Sequence, residues 1–371
     1  MDWFGNRYSE TYTYTRVTWD GWNEYENYGY ITDGSLEYSA SSSIKVTGSF
    51  NFEGLEVPNT DDLVRVYYSF KDSTGEETSV ALATLFVDYS SLTYSDTTSG
   101  MKSQGTLNGQ SVLSVMENDM YGPPLTISRG SNPILEAVKL IKECGLNVDY
   151  TPSGKTMGVD YTFQSGTSYL EMVNYLCDVA SYYQAYPDPY GTIMLKPIVN
   201  DEATELVFTN DDRSIMYPEV SDETNLNDAH NVVKIGYSSA STYLYATAQN
   251  LSGSPISLDK TGGRRSVLYE DVSDIDEETN ATSAIRQIAE ERIKDEALKV
   301  ETVTFSHAYV PMELNQPVSI SYSDFSWDGY IETFSVSLKP ATKTQTKVQK
   351  EEFYDIITAI DVRATGGVDN G

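Results

Sequence analysis

The alternation of apolar and polar positions divides the chain into three stretches. Through residues 1–118 the period is two. Val64, Val66, Tyr68 and Phe70 fall on one face, Asp72-Ser-Thr-Gly75 makes a turn, and residues 78–89 read as the returning strand. Residues 35–40 and 44–52 form a second strand pair. Short strands broken by Gly, Asn and Asp predict an antiparallel barrel or sandwich, and closure of such a sheet protects its edges.

Between 119 and 200 the period lengthens. Asn132 can cap a helix, Pro133 suits its first position and Gly145 suits its left-handed stop, with Ile134, Val138, Ile141 and Cys144 in one stripe. Ser168-Tyr-Leu-Glu171 is a capping-box pattern that opens a second helix. Its stripe is Leu170, Met172/Val173, Leu176/Cys177 and Ala180, and a turn at 186–191 leads into a strand at 192–197. From 201 onward the β pattern returns, with strands at 230–237, 242–249, 302–310, 317–322 and 330–338. Trp327-Asp-Gly-Tyr330 is expected as the hairpin between the last two, and 250–265 as a polar, Gly-rich hairpin tip or loop. One helix interrupts at 280–298, with Ala281, Ile285, Ile288/Ala289 and Ile293 in phase.

The expected architecture is mainly β with α+β insertions: two antiparallel β-barrels flanking small α/β domains. The N-terminal barrel takes 1–118 and an α/β insertion 119–200. A connecting segment, 201–229, is able to pair with the first barrel; the second barrel takes 230–340 with its helix at 280–298, and 341–371 form a C-terminal extension.

Composition narrows what such a chain does. With 25 Lys+Arg against 55 Asp+Glu over 371 residues, the net charge is −30, which speaks against gripping nucleic-acid phosphates or an anionic membrane through a basic face. Hydrophobic residues at 39% suffice for real cores, and 29 Tyr are far from the composition of disorder. Two cysteines exclude a disulfide scaffold, and both are read as small buried hydrophobes inside helices. The start shows no signal-peptide pattern, and the apolar run at 80–87 is far shorter than a membrane helix.

Candidate chemistry is sparse. His307 lies in phase with Val303 and Phe305, as a hydrogen-bonded core or interface histidine would, and His230 opens a strand. No His-Glu-x-x-His, Cys-x-x-Cys or Gly-x-Ser-x-Gly occurs, so neither a zinc site nor a nucleophile elbow is indicated, and no cofactor or metal is expected. Carboxylates are so abundant that no pair stands out for glycoside hydrolysis. The acidic runs at 210–212 and 270–278 do not fit a calcium loop, and the second precedes a helix, where acidic residues favour the positive end. Thr261-Gly-Gly-Arg-Arg265 is read as a tip with two exposed arginines. The aromatic start, Trp3, Phe4, Trp19, Trp22, Tyr25, Tyr28 and Tyr30, is read as packing or subunit contact, with sugar stacking as the minority reading.

The order of these elements resembles the tail hub proteins of tailed phages and related injection machines. Residues 34–50 look like the opening barrel strands of such hubs, 130–141 like the helix after the first barrel, and 166–177 like the second helix. Residues 182–197 follow as an aromatic stretch, a turn and an apolar strand; 228–235 resemble the strand that opens the second barrel; 282–298, 314–320 and 327–336 complete the pattern. The likeness spans roughly 12–340 and lies in the order of elements rather than in any single motif.

That resemblance implies a non-enzymatic homotrimer whose two barrels per chain form a six-part ring, joining a sixfold tail to a threefold tip in the virion, after synthesis in the host cytoplasm. Partners would be distal tail or baseplate ring proteins, a tape-measure protein and a tip fibre or spike, with no sequence-specific nucleic-acid binding and no membrane span. Hubs with a C-terminal hydrolase carry a longer extension than 341–371 provides. Expected subunit or partner contacts are Trp3, Trp19, Trp22, Tyr28 and Tyr30, and expected acidic residues along the DNA passage are Asp271, Asp274, Asp276, Glu277 and Glu278. The rival readings are a carbohydrate-binding adhesin module, an acidic-site glycosidase or peptidoglycan hydrolase, and a DNA mimic.

Overall fold

The computed structural model describes residues 8–54, 63–72, 74–97, 100–158, 160–198, 206–211, 215–224, 229–238, 243–272, 281–298, 301–341, 343–350 and 357–365. The first six strands are β1 (Tyr8–Val17), β2 (Glu24–Ser39), β3 (Val46–Gly54), β4 (Leu63–Lys71), β5 (Glu77–Thr97) and β6 (Gly100–Ser111). They run in the order β1-β4-β5-β6-β3-β2, and pairing of β1 with β2 closes the barrel. Alternation sends Tyr14, Leu36, Phe50, Phe52, Val66, Tyr68, Leu85 and Leu107 into the interior, where all are buried. The expected face of β4, Val64 to Phe70, is buried as well. Gly34, at φ +145°, lets the β2 backbone lie against β3: a Cβ there would stand 2.5 Å from Phe50 Cα.

A compact α/β unit follows: α1 (Leu113–Asn118), β7 (Leu125–Ile127), α2 (Pro133–Glu143), β8 (Val148–Tyr150), β9 (Tyr161–Phe163), α3 (Tyr169–Ala180), β10 (Tyr186–Pro187) and β11 (Ile193–Leu195). Both helix starts are capped by the expected side chains. Asn132 Oδ1 accepts from the N–H groups of Ile134 and Leu135 at 3.0 and 3.1 Å, and Ser168 Oγ accepts from Glu171 N–H at 3.1 Å. The apolar stripes of α2 and α3 meet in one core that includes Ile134, Ile141, Leu176 and Cys177 and extends to Val17 and Leu63 of the barrel.

Arg65 fastens the barrel to this unit. Its Nε–H donates to Thr84 Oγ1 at 2.9 Å, one Nη to Tyr190 O at 3.0 Å and the other to Glu24, while Thr84 Oγ1 donates to Pro189 O at 2.8 Å. A guanidinium this buried is tolerated because its donors meet a carboxylate and oxygens at fixed points.

The remaining strands interleave two units. β12 (Leu206–Thr209) and β13 (Met216–Thr224) precede β14 (Val232–Ser238), β15 (Tyr243–Ser252), β16 (Val267–Val272) and α4 (Ala281–Leu298). β17 (Glu301–His307), β18 (Pro317–Tyr322), β19 (Phe325–Ser337), β20 (Thr344–Lys350) and β21 (Ile357–Thr365) close the described chain. Strands β13-β17-β20-β19-β18-β12 form a second barrel, which is open between β12 and β13 among the described residues. β16-β14-β15-β21 form a separate four-stranded sheet, whose inner face, Val233, Ile235, Ala246 and Ala248, packs on Ile285, Ala289 and Ile293 of α4.

Residues 230–340 therefore do not make one unit. Strands at 232–272 carry the same alternation as barrel strands, but their apolar face meets a helix rather than another sheet. Residues 206–224, expected as a connection able to pair with the first barrel, pair instead with β17 and β18. Residues of the expected C-terminal extension are structural members too: β20 pairs with β17 and β19, and β21 with β15.

Two further expectations shift. The turn before β19 is Ser323-Asp324, with Ser323 at φ +55°. Trp327 and Gly329 lie inside the strand, where Gly329 is needed because a Cβ would stand 2.1 Å from Gln349 O. The segment 250–265 is not a hairpin tip, since β14 lies between β15 and β16.

Two outcomes follow for stability. Asn132→Ala removes the acceptor for two amide donors and should lower unfolding free energy by about 1 kcal/mol in urea titration. Lys45 is buried at φ +59°, its Nζ donating to Ala40 O at 2.5 Å and Gln184 Oε1 at 2.9 Å. Burial pushes its ammonium down to about 8, against the pull of Asp178. The unfolded chain, titrating near 10.4, binds more protons between these values, so the cost of the buried charge is present in full below pH 8 and relieved as pH rises. Wild-type stability should therefore rise relative to Lys45→Met by about 1–3 kcal/mol from pH 7 to 10.4. A pH-independent difference would refute this.

Candidate assembly interface

The two barrels are joined by a strand ladder. Residues Ser35–Ser39 of β2 pair antiparallel with Thr333–Ser337 of β19. Tyr38 stacks on Phe334 with ring centroids 4.0 Å apart and planes 11° from parallel, and Tyr38 Oη donates to Leu82 O at 2.8 Å. Burial holds the Tyr38 phenol well above its usual range. Leu338 N–H donates to Gly34 O at 2.8 Å and Ala40 N–H to Glu332 O at 2.9 Å, which extends the junction at both ends. Apolar residues of both barrels, from Tyr12 to Val348, belong to one continuous core.

The barrels repeat one strand order. Reading β1-β4-β5-β6-β3-β2 against β12-β18-β19-β20-β17-β13 matches β2 with β13, β3 with β17, and the meander β4-β5-β6 with β18-β19-β20. The one reversed strand is β12, which runs parallel to β18 where β1 runs antiparallel to β4. The junction just described thus joins the β2 position of the first barrel to the β5 position of the second.

The reciprocal pair of edges is unoccupied among the described residues. β13, in the β2 position, pairs with β17 alone, and its far edge presents exposed Glu219, Ser221, Asp222 and Glu223. β4 pairs with β5 only as far as Phe86, so residues 88–97 of β5 continue with β6 on one side and an open edge on the other. On β19 the corresponding stretch is the one that β2 covers. Both ladders carry a register shift near this point, at Tyr89/Ser91 and at Ile331/Thr333. Leu92, partly buried against the common core, then takes the place of Phe334. Charged residues along an open edge are the usual guard against indiscriminate strand pairing.

The expected contact residues have different fates. Trp19 and Trp22 pack inside the chain, on each other and on Phe86, against the core of the α/β unit. Gly191 is required beside them, because a Cβ would stand 2.8 Å from Trp22 Cζ3. Both are thus spent on an internal seam. Tyr30 is 65% exposed, on a broad polar groove with Tyr25, Tyr67, Thr11 and Thr13. The Glu24 carboxylate on this groove is already held by Thr15 at 2.7 Å, Tyr67 at 2.6 Å and Arg65. Burial would raise its pKa, but these partners outweigh burial and hold it below the ordinary value. Trp3 lies outside the described residues, as does the Tyr28 side chain on β2.

Among the expected acidic residues, Asp271 is on the exposed face of β16 and accepts from Tyr269 Oη at 2.7 Å. Asp274, Asp276, Glu277 and Glu278 lie outside the described residues. Sequence reasoning did not single out the edges of β5 and β13, whose signal lies in strand order rather than in residue type.

The histidines and cysteines are structural where they stand. His307 is buried, with Nδ1 2.8 Å from Ala308 O and Nε2 2.8 Å from Thr346 Oγ1, an arrangement in which Nδ1 carries the proton. His230 Nδ1 lies 2.7 Å from the buried Glu296, tying α4 to the start of β14. Cys144 and Cys177 are buried free thiols, and burial pushes each up to about 12. Among the described residues no three His, Cys, Asp or Glu side chains gather to hold a metal, and no helix is long and apolar enough to cross a membrane.

No protein-family profile matches the chain, and no curated protein sequence does. Solved structures do. A tail protein from Neisseria meningitidis MC58 matches with a TM-score of 0.64 at 14% identity, over 93% of this chain and 97% of that one. The 43 kDa tail protein of prophage MuSo2 from Shewanella oneidensis matches with a TM-score of 0.61 at 13% identity, over 91% and 98%. A chain of the Francisella PdpA-VgrG complex matches with a TM-score of 0.50 at 9% identity, over 93% of this chain and 59% of that one. Two barrels of one strand order, fused along a single ladder, with α/β units set beside them, are in this chain the fold of phage tail proteins.

Proposed function

We propose that the protein is a non-enzymatic structural hub of a phage or phage-like tail, three copies closing a ring of six barrels. The observation that carries this reading is the repeated strand order with one junction occupied and its reciprocal left open among the described residues. Where β2 meets β19 inside the chain, β13 of one copy would meet the distal half of β5 on the next. A heterologous contact of this kind builds a closed ring when its rotation divides the circle. Three copies present six similar barrels, a geometry suited to joining a sixfold tail to a threefold tip. Its neighbours there would be distal tail or baseplate ring proteins, a tape-measure protein and a tip fibre or spike, and its place in the virion the tail tip or baseplate.

The charge fits a passage for DNA. Three copies at −30 each carry −90, and walls of like charge do not hold phosphates, although salt screens the effect beyond about 8 Å. Asp271, on an exposed sheet face, is a candidate for that wall together with Asp274, Asp276, Glu277 and Glu278. Tyr30 and Tyr28 remain candidates for partner contact, and Trp3 with them.

Two measurements test the reading. Native mass spectrometry of the full chain should return three times the monomer mass, and a single-copy mass at every concentration would sink the ring. In the register of the internal junction, where Ser337 faces Ser35, Glu223 of one copy falls beside Ser95 of the next. Ser95→Cys with Glu223→Cys should therefore yield covalent dimers and trimers on oxidation, without competition from the buried Cys144 and Cys177. A trimer that does not cross-link would reject this pair of edges while keeping the ring.

A further inference from the structure

The crossover between β15 and β16 is a rigid basic loop on an acidic chain. Asn231, itself buried, holds it from below: its side-chain amide donates to Ile256 O at 3.0 Å and Arg264 O at 2.8 Å, and its carbonyl accepts from Ser266 N–H at 2.9 Å. Ile256 is buried with Ala229 and Ala297. Gly262 and Gly263 stand at φ +64° and +80°, and a Cβ on either would meet nothing, so it is backbone conformation that requires glycine there.

The N–H groups of Gly262, Gly263 and Arg264 are bonded to carbonyls of Asp259, Leu258 and Thr261 within the loop. These amides are therefore not free to cradle a small anion. What the loop presents is side chains. Lys260, Arg264 and Arg265 are exposed, and none has an ion-pair partner among the described residues. Arg264 Nε–H donates to Thr261 O at 3.2 Å, which holds the guanidinium to the loop by one donor and leaves its Nη groups for a ligand.

The position of the loop matters as much as its charge. β13 ends at Thr224 and β14 begins at Val232, while α4 ends at Leu298 and β17 begins at Glu301. β20 ends at Lys350 and β21 begins at Ile357, opposite Ser252, so all three connections between the second barrel and the four-stranded sheet with its helix leave from the end of the sheet where β14 starts. Asn231 and Ala297 tie the loop to that same end. The open edge of β13 carries Glu219, Asp222 and Glu223, and the distal half of β5 carries exposed Asp88 and Asp96. Seating one edge on the other gathers five carboxylates, with Lys350 already engaged on Asp222 at 2.8 Å. Such a seam needs cations that its own strands do not supply.

We infer that the loop is an electrostatic clamp for a second copy of this chain, with Lys260, Arg264 and Arg265 of one copy taking Asp88 and Asp96 on the β5–β6 arm of the next. This rests on the ring reading above. Planar guanidinium groups suit carboxylates, and partly solvated pairs of this kind act chiefly on association rate and salt dependence.

The test uses the full chain and its native mass as a function of concentration and salt. Arg264→Glu with Arg265→Glu should weaken self-association by about tenfold or more at low salt, as should Asp88→Lys with Asp96→Lys, each with an unchanged circular-dichroism spectrum. All four changes in one chain should restore assembly, and Arg264→Gln with Arg265→Gln should give an intermediate loss that does not depend on reversed charge. Assembly of the wild type with no effect of the arginine changes would overturn the clamp and leave the ring standing. Losses that the fourfold variant does not repair would overturn the β5–β6 arm as the target. Binding of a fluorescent DNA duplex by the wild type, lost in the Arg264→Glu, Arg265→Glu variant with self-association unchanged, would assign the loop to nucleic acid instead. A wild-type chain that stays monomeric throughout would overturn ring and clamp together.

Discussion

The ladder between β2 and β19 is the joint on which the molecule depends. Five residues of each strand make it, and Tyr38 stacked on Phe334 seals it from within. Backbone hydrogen bonds of a ladder are directional, and here they are shielded by one core that runs through both barrels. Two β units joined by a flexible linker would sample many angles. Joined by a ladder over a common core, they hold one. The angle between the two barrels is thus set within the chain itself.

The α/β unit reinforces the same arrangement from the side. Arg65 reaches from β4 to Tyr190, Lys196 pairs with Glu313 at 3.0 Å, and the segment Tyr186–Pro189 meets both barrels around a small gap lined by Tyr38, Tyr309 and Phe334. Three units thus touch at one place. The buried charge of Arg65 has its desolvation offset by Glu24 and by carbonyl and hydroxyl oxygens, so replacing it with a neutral chain would leave Glu24 without its cation. Trp19 and Trp22 fill the adjoining seam, partly buried against the core of the α/β unit.

Much of the local structure is legible in the chain. Val64, Val66, Tyr68 and Phe70 announce β4 because a half-buried strand repeats every two residues. Asn132, Ser168 and Gly145 mark helix ends because orphaned amides and a left-handed stop require those residue types. Ile285, Ala289 and Ile293 announce the buried stripe of α4. His307 among Val303 and Phe305 reads as a core residue, and it is one. The order of such elements was enough to suggest a tail hub.

Alternation says that one face of a strand is buried, not what buries it. Val233 and Ile235 on β14 look like barrel residues and pack on a helix; β20 and β21 lie in what reads as a C-terminal extension and belong to two different sheets. Strand partners, the pairing of β2 with β19 and the matching strand order of the two barrels are long-range facts, since a ladder joins residues three hundred positions apart as readily as neighbours. The sequence by itself determined which residues form strands, helices and caps, because those depend on periodicity and on local hydrogen bonding. Only the tertiary structure decided which edges are spent inside the chain and which, on β5 and β13, stay unpaired among the described residues, because edge pairing depends on the shape of a closed sheet.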